Sequence, residues 1–154
     1  MDDISWDIAT PEGLFNMLKE DFEDFKKDPL SSKKALHCIL TGWHLIDWNF
    51  IVYESENFKN LETFRKSLYP KCPNLKIMHD ITTRLKHFKV STPKSNAKDS
   101  EVHMGSYSAD YSLAYDVSCL KILHNDQWEC IEPIINEVII FWEKYFNHKS
   151  LKNM

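Results

Sequence analysis

Apolar residues along the first third of the chain recur at three- and four-residue steps, the spacing of one helix face. Leu14, Phe15, Leu18, Phe22 and Phe25 form the first such stripe, between Thr10-Pro11-Glu12 and Asp28-Pro29. Thr10 is a suitable N-cap, and Pro11 lacks only an N–H that a first helical turn leaves unpaired. Ser31 or Ser32 then caps a longer helix to about Ser55, striped by Leu36, Ile39, Leu40, Trp43, Ile46, Phe50 and Tyr53. A third helix, from about Asn57 to Tyr69, carries Phe58, Leu61, Phe64 and Leu68 and is stopped by Pro70. The fourth is predicted from about Pro73 to Val90, with Leu75, Met78, Ile81, Leu85 and Phe88 as its core face. Ser91 to Ser100 is polar, contains Pro93 and has no large apolar residue, which predicts a flexible loop. The period then changes. Tyr115, Val117 and Cys119 alternate with Asp116 and Ser118, and Leu120 to Leu123 leads into a turn at His124-Asn125-Asp126. A strand is expected there, paired with one near Val102 to Tyr111. Pro133 opens a last helix through about Phe146, with Ile135, Val138, Ile139, Trp142, Tyr145 and Phe146 on its apolar side.

These elements predict a mainly α fold: an up-and-down bundle of about five helices, with a small β-hairpin inserted before the last helix. At 154 residues the chain fits a single domain, 1–154. Only 3 Gly and 6 Pro leave little punctuation for an all-β alternative. A net charge of -4 excludes a globally basic nucleic-acid binder, although a local basic face remains compatible with it. Cys38, Cys72, Cys119 and Cys130 lie far apart, so paired zinc ligands are not expected and the four read as structural thiols. The acidic start at Asp2-Asp3 lacks a signal pattern, and no apolar run approaches the roughly 20 residues of a membrane span. A cytoplasmic protein without a membrane partner is expected.

Candidate chemistry concentrates on the fourth helix. Residues three, four and seven apart share a face, which aligns Lys76, Asp80, Thr83 and His87 opposite the core stripe. His79, Thr82 or Thr83, and Lys86 form the adjacent line. Such a face is either plain solvated surface or a general acid/base site, because histidine titrates near neutrality and a neighbouring carboxylate or lysine tunes it. The second helix presents His37, Thr41, His44 and Asp47. By helical phase Asp47 falls among Leu40, Trp43 and Phe50, where it needs a partner: Arg84, Lys86, His44 or a Tyr hydroxyl. The order His44, His79-Asp80, then Asp110 or Asp116 also imitates the ligand order of HD-type metal phosphohydrolases, a weaker alternative. Gly-rich phosphate loops, nucleophile elbows and zinc-protease helices are absent from the sequence. Trp48, off the main stripe beside His44, is placed to line a second interface.

Three stretches taken together resemble an uncharacterised bacterial group related in look to the HEPN superfamily. They are Ala35-Leu36-His37 through Trp43-His44-Leu45-Ile46-Asp47-Trp48; Cys72-Pro73 with Asp80-Ile81 and Lys86-His87-Phe88; and Phe141-Trp142. The resemblance implies a helical bundle, a homodimer and, as in many HEPN proteins, a metal-independent ribonuclease of toxin–antitoxin or phage-defence systems with no cofactor. It implies a site of His87, Asp80, His79 and Lys86 in catalysis, with Arg84, Thr83, His44 and Asp47 toward substrate. The usual HEPN motif places Arg four to six residues before His; here Arg84 and His87 are separated by two. The alternative function is a non-catalytic helical module that binds a protein or small ligand through the same face.

Overall fold

The computed structural model describes residues 6–105 and 118–154. Helix α1 spans Pro11–Lys27, and the Thr10 hydroxyl accepts the Gly13 N–H at 3.0 Å as its cap. Helix α2 spans Ser32–Asn49, capped by Ser31, and runs directly into a π-helical turn at Phe50–Glu54. Helix α3, Leu61–Leu68, starts later than its apolar spacing predicts because the Asn60 side chain caps it, accepting the Thr63 N–H at 2.9 Å. Helix α4, Asn74–His87, stops short of Val90 because Phe88 takes the left-handed conformation, φ 63°. Helix α5, Ile131–Lys152, begins two residues before Pro133; a proline in the first turn sacrifices no helical hydrogen bond.

Between α4 and α5 lie β1 (Ala97–His103), β2 (Cys119–His124) and β3 (Gln127–Cys130), in the order β1-β2-β3, both pairs antiparallel. The predicted hairpin is thus a three-stranded sheet. Asn125 and Asp126 make its tight β2–β3 turn, both at positive φ (52° and 61°), the combination that lets a two-residue loop follow strand twist. β1 takes the last four residues of the segment predicted as a flexible loop, Ser91 to Ser100. The expected strand residues Tyr111, Tyr115 and Val117 lie outside the described residues.

The helices enclose one core. Trp142 is fully buried and donates its indole Nε1–H to the Gly42 carbonyl at 3.1 Å. A Cβ on Gly42 would stand 2.9 Å from the Met78 sulfur, so the glycine lets α2 approach α4 closely. Leu18, Leu45, Leu75, Ile135 and Val138 fill the space around this crossing, and Phe15 stacks on Phe146 at 5.1 Å between centroids. Trp142→Phe removes the hydrogen bond and part of the ring, and is expected to cost about 2 kcal/mol in urea unfolding. Trp48, expected at a second interface, is partly buried against this same core.

Two of the four cysteines depart from the expectation of free thiols. Cys119 and Cys130 form a disulfide, whereas Cys38 and Cys72 are free and buried. The register pairs Lys121 with Cys130, so Cys119, two residues along β2, lies on the same sheet face as Cys130. No short spacing in the sequence signals that pairing. Among the described residues, no helix is long and apolar enough to cross a membrane.

Candidate functional site

On α4 the buried face is rotated from the predicted one. Leu75, Ile77, Met78, Asp80 and Thr82 are buried, while Leu85 is 48% and Phe88 74% exposed. Asp80, expected on the solvent side with Thr83 and His87, is only 6% exposed. Its cover comes from downstream: the 94–95 segment folds back across α4. Asp80 Oδ1 accepts the Lys94 N–H at 2.8 Å, and Oδ2 accepts the Ser95 N–H at 2.8 Å and the Ser95 hydroxyl at 2.5 Å. Burial alone raises the Asp80 carboxyl, but the bonds from Ser95, Lys94 and His79 outweigh it and hold the group below its usual range.

Asp80 also fixes its neighbour. His79 Nδ1 lies 2.8 Å from Asp80 Oδ1. An ionised carboxylate can only accept, so Nδ1–H is the donor, and in the neutral ring Nε2 holds the lone pair. Thr83 Oγ1 is 3.5 Å from that Nε2, too long to engage it strongly. The imidazole meets the edge of Trp43 at 5.1 Å, and the Arg65 guanidinium lies over the same indole at 5.0 Å. Arg65 Nη2 donates to Asp47 Oδ1 at 2.9 Å. Asp47 is therefore paired, as its helical phase demands, but with α3 and not with Arg84, Lys86, His44 or a tyrosine. Arg65 Nε, the Tyr69 hydroxyl and the Thr82 hydroxyl are buried here without a hydrogen-bond partner among the described residues. Arg65 and Tyr69 escaped the sequence reading because α3 carries no motif; the unpaired phase of Asp47 was the only signal pointing to them.

The structure thus joins His79 and Asp80, with Thr83 nearby, brings in the expected Asp47 through Arg65, and adds Trp43 and Arg65. It leaves the other expected site residues apart. Lys86 and His87 are exposed at the end of α4, beside a shallow depression formed by residues 84–88. Arg84 donates to the Phe88 carbonyl and lies over the Phe88 ring at 4.3 Å. His44 is exposed on α2. For the metal alternative, Asp110 and Asp116 lie outside the described residues, and among the described residues no group of three or more His, Cys, Asp or Glu could hold an ion.

Two features were not foreseen. A groove of about 750 Å³ runs between α2, α4 and β1, lined by Leu36, Ile39, Ile81, Leu85, Val102 and Ile122. Val102, on the edge strand β1, pairs with the buried Leu120 and shares its sheet face, yet is 56% exposed. The second feature surrounds Glu54, buried in the π turn. It accepts from the Tyr145 hydroxyl at 2.9 Å and from Asn57 Nδ2 at 3.1 Å, and pairs with Lys149. Burial raises this carboxyl, but Lys149, Asn57 and Tyr145 bring it below its ordinary value. A regular 3.6-residue period cannot anticipate the cluster, since the π turn shifts the helix phase.

Both lowered carboxyls make stability depend on pH in one direction. Their contribution is complete above the unfolded-chain values of about 3.9 for Asp and 4.3 for Glu. It is lost as pH falls through the still lower native values. Urea unfolding across an acid series is expected to show a falling midpoint below about pH 4. That fall should shrink in Asp80→Asn and in Glu54→Gln.

No family model matches the chain, and neither does any curated protein or solved structure.

Proposed function

We propose that the chain is a HEPN-like helical domain that cleaves RNA without a metal ion, with His79 in place of His87 as its acid/base group. The observation that carries this reading is the hydrogen bond from His79 Nδ1 to the buried Asp80 carboxylate. It fixes the neutral tautomer in which Nε2, and not Nδ1, is the atom that can take a proton. The base withdraws the ribose 2′-OH proton, the 2′-oxygen attacks the adjacent phosphorus, and the 5′-oxygen leaves. In the homodimer that the HEPN likeness implies, a second copy's imidazolium protonates that leaving oxygen.

The surroundings suit a phosphodiester. Arg65 and His79 both pack against Trp43, and Lys76 and Lys86 are three residues before and seven after His79 on one helix line. From Lys76 to Lys98 the sequence carries Lys76, Arg84, Lys86, Lys89, Lys94 and Lys98 against one acid, Asp80, which is buried. This segment is locally basic within a net acidic chain, although Lys98 pairs with Asp126, and local positive charge favours phosphate.

The test is incubation of the purified protein with RNA in chelator. The reading predicts fragments ending in 2′,3′-cyclic phosphate, with DNA of the same sequence left intact for want of the 2′-OH. Intact RNA from folded protein contradicts it. A second reading, a non-catalytic binding module, is favoured by the uncovered apolar wall of Ile81, Leu85 and Val102 along the groove. It predicts intact RNA together with a partner whose capture Leu85→Glu abolishes.

A further inference from the structure

We propose that Cys119 and Cys130 form a thiol–disulfide exchange site, opened by small thiols, in which Cys130 is the nucleophilic sulfur and Cys119 the resolving one. The two cysteines are already bonded. Their settings differ in the way such a pair requires. Cys130 is the N-cap residue of α5, a 22-residue helix, and its side chain makes no capping hydrogen bond. As the N-cap residue, Cys130 stands at the positive end of that helix, where the first N–H groups have no partner within the helix. Lys121 is the cross-strand partner of Cys130, so an ammonium shares its sheet face. Cys130 is partly exposed, whereas Cys119 is buried.

A partly exposed cysteine between a helix N-terminus and a lysine is one whose thiolate is favoured. Two acids oppose this: Glu101, the β1 partner of Lys121 on the same sheet face, and Glu132, in the first turn of α5. Glu129 faces the other side of β3 and contacts His124 at 3.2 Å. The remaining thiols provide internal controls. Burial pushes Cys38 up to about 12 and Cys72 up to about 11, so neither forms a thiolate near neutrality.

The exchange balances as two displacements. An external thiolate attacks Cys130 Sγ, the Cys119–Cys130 bond breaks, and its electron pair leaves on Cys119 Sγ, which takes a proton from water. A second thiolate attacks the outer sulfur of the mixed disulfide, forming the oxidised small disulfide and releasing the Cys130 thiolate. Two electrons pass from two small thiols to the protein bond. Reversal by an oxidised small disulfide uses Cys130 first and Cys119 second.

The experiment uses the oxidised full chain, reduced by dithiothreitol without denaturant, pulsed with iodoacetamide at neutral pH and mapped by peptide mass spectrometry. Cys130 is expected to react at least about tenfold faster than Cys119, with Cys38 and Cys72 unmodified until denaturant is added. Lys121→Gln should slow Cys130 alkylation several-fold, and Cys119→Ser should trap a glutathione adduct on Cys130. The proposal is overturned if the bond resists reduction until the protein unfolds, or if reduction collapses the helical circular-dichroism spectrum, since either marks a structural staple. Equal alkylation of Cys130 with and without Lys121 overturns the assignment of the nucleophile.

Discussion

Asp80→Ala is expected to destabilise the protein by about 3 kcal/mol, because it removes a buried, fully hydrogen-bonded carboxylate and orphans its donors. Three of those donors belong to the segment entering β1: the Lys94 N–H, the Ser95 N–H and the Ser95 hydroxyl. The fourth is His79. Loss of the carboxylate should therefore release the sheet's entry from α4 as well as lower stability. Urea unfolding gives the energy, and hydrogen exchange at the Lys94 and Ser95 amides gives the place. Asp80→Asn, which keeps the shape but loses the charge and one acceptor, should fall between wild type and alanine.

The second large effect is on activity. His79→Gln cannot take up a proton at Nε2, and RNA cleavage is expected to drop at least about 100-fold. Its stability should change far less than that of Asp80→Ala, because His79 is the only donor lost from the Asp80 network. Asp80→Asn should also slow cleavage, since an amide no longer favours the Nδ1-protonated tautomer. Stability loss and rate loss thus separate. Position 80 carries both, and position 79 carries mainly rate.

The helical framework was legible because its signals are local. The Thr10 and Ser31 caps, the α1 stripe and the His124-Asn125-Asp126 turn each depend on neighbours within a few residues. The mainly α bundle with a β insertion before the last helix follows from them. Of the α2 stripe, Ile39, Trp43 and Ile46 are buried, whereas Leu36, Leu40, Phe50 and Tyr53 are only partly so. The site was only half legible. His79 and Asp80 were recognisable as chemistry-bearing, but the burial of Asp80 depends on residues 94–95, and no helix periodicity reports what a later segment will cover. Leu85 and Phe88 mark the same limit from the other side: apolar at core spacing, they are left exposed, Leu85 along the groove and Phe88 as the C-cap just past α4. Asp47 announced that it needed a partner without saying which, since Arg65 reaches it from another helix. The Cys119–Cys130 bond depends on strand register and the Glu54 cluster on a π turn, and neither leaves a spacing in the sequence.

The most direct measurement is single-turnover cleavage of one RNA substrate in chelator by wild type, His79→Gln and His87→Gln at matched, verified folding. The proposed site predicts cleavage by wild type, a loss of at least about 100-fold in His79→Gln, and a rate within about threefold of wild type in His87→Gln. Intact RNA in all three, or a large loss in His87→Gln with His79→Gln near wild type, would contradict it.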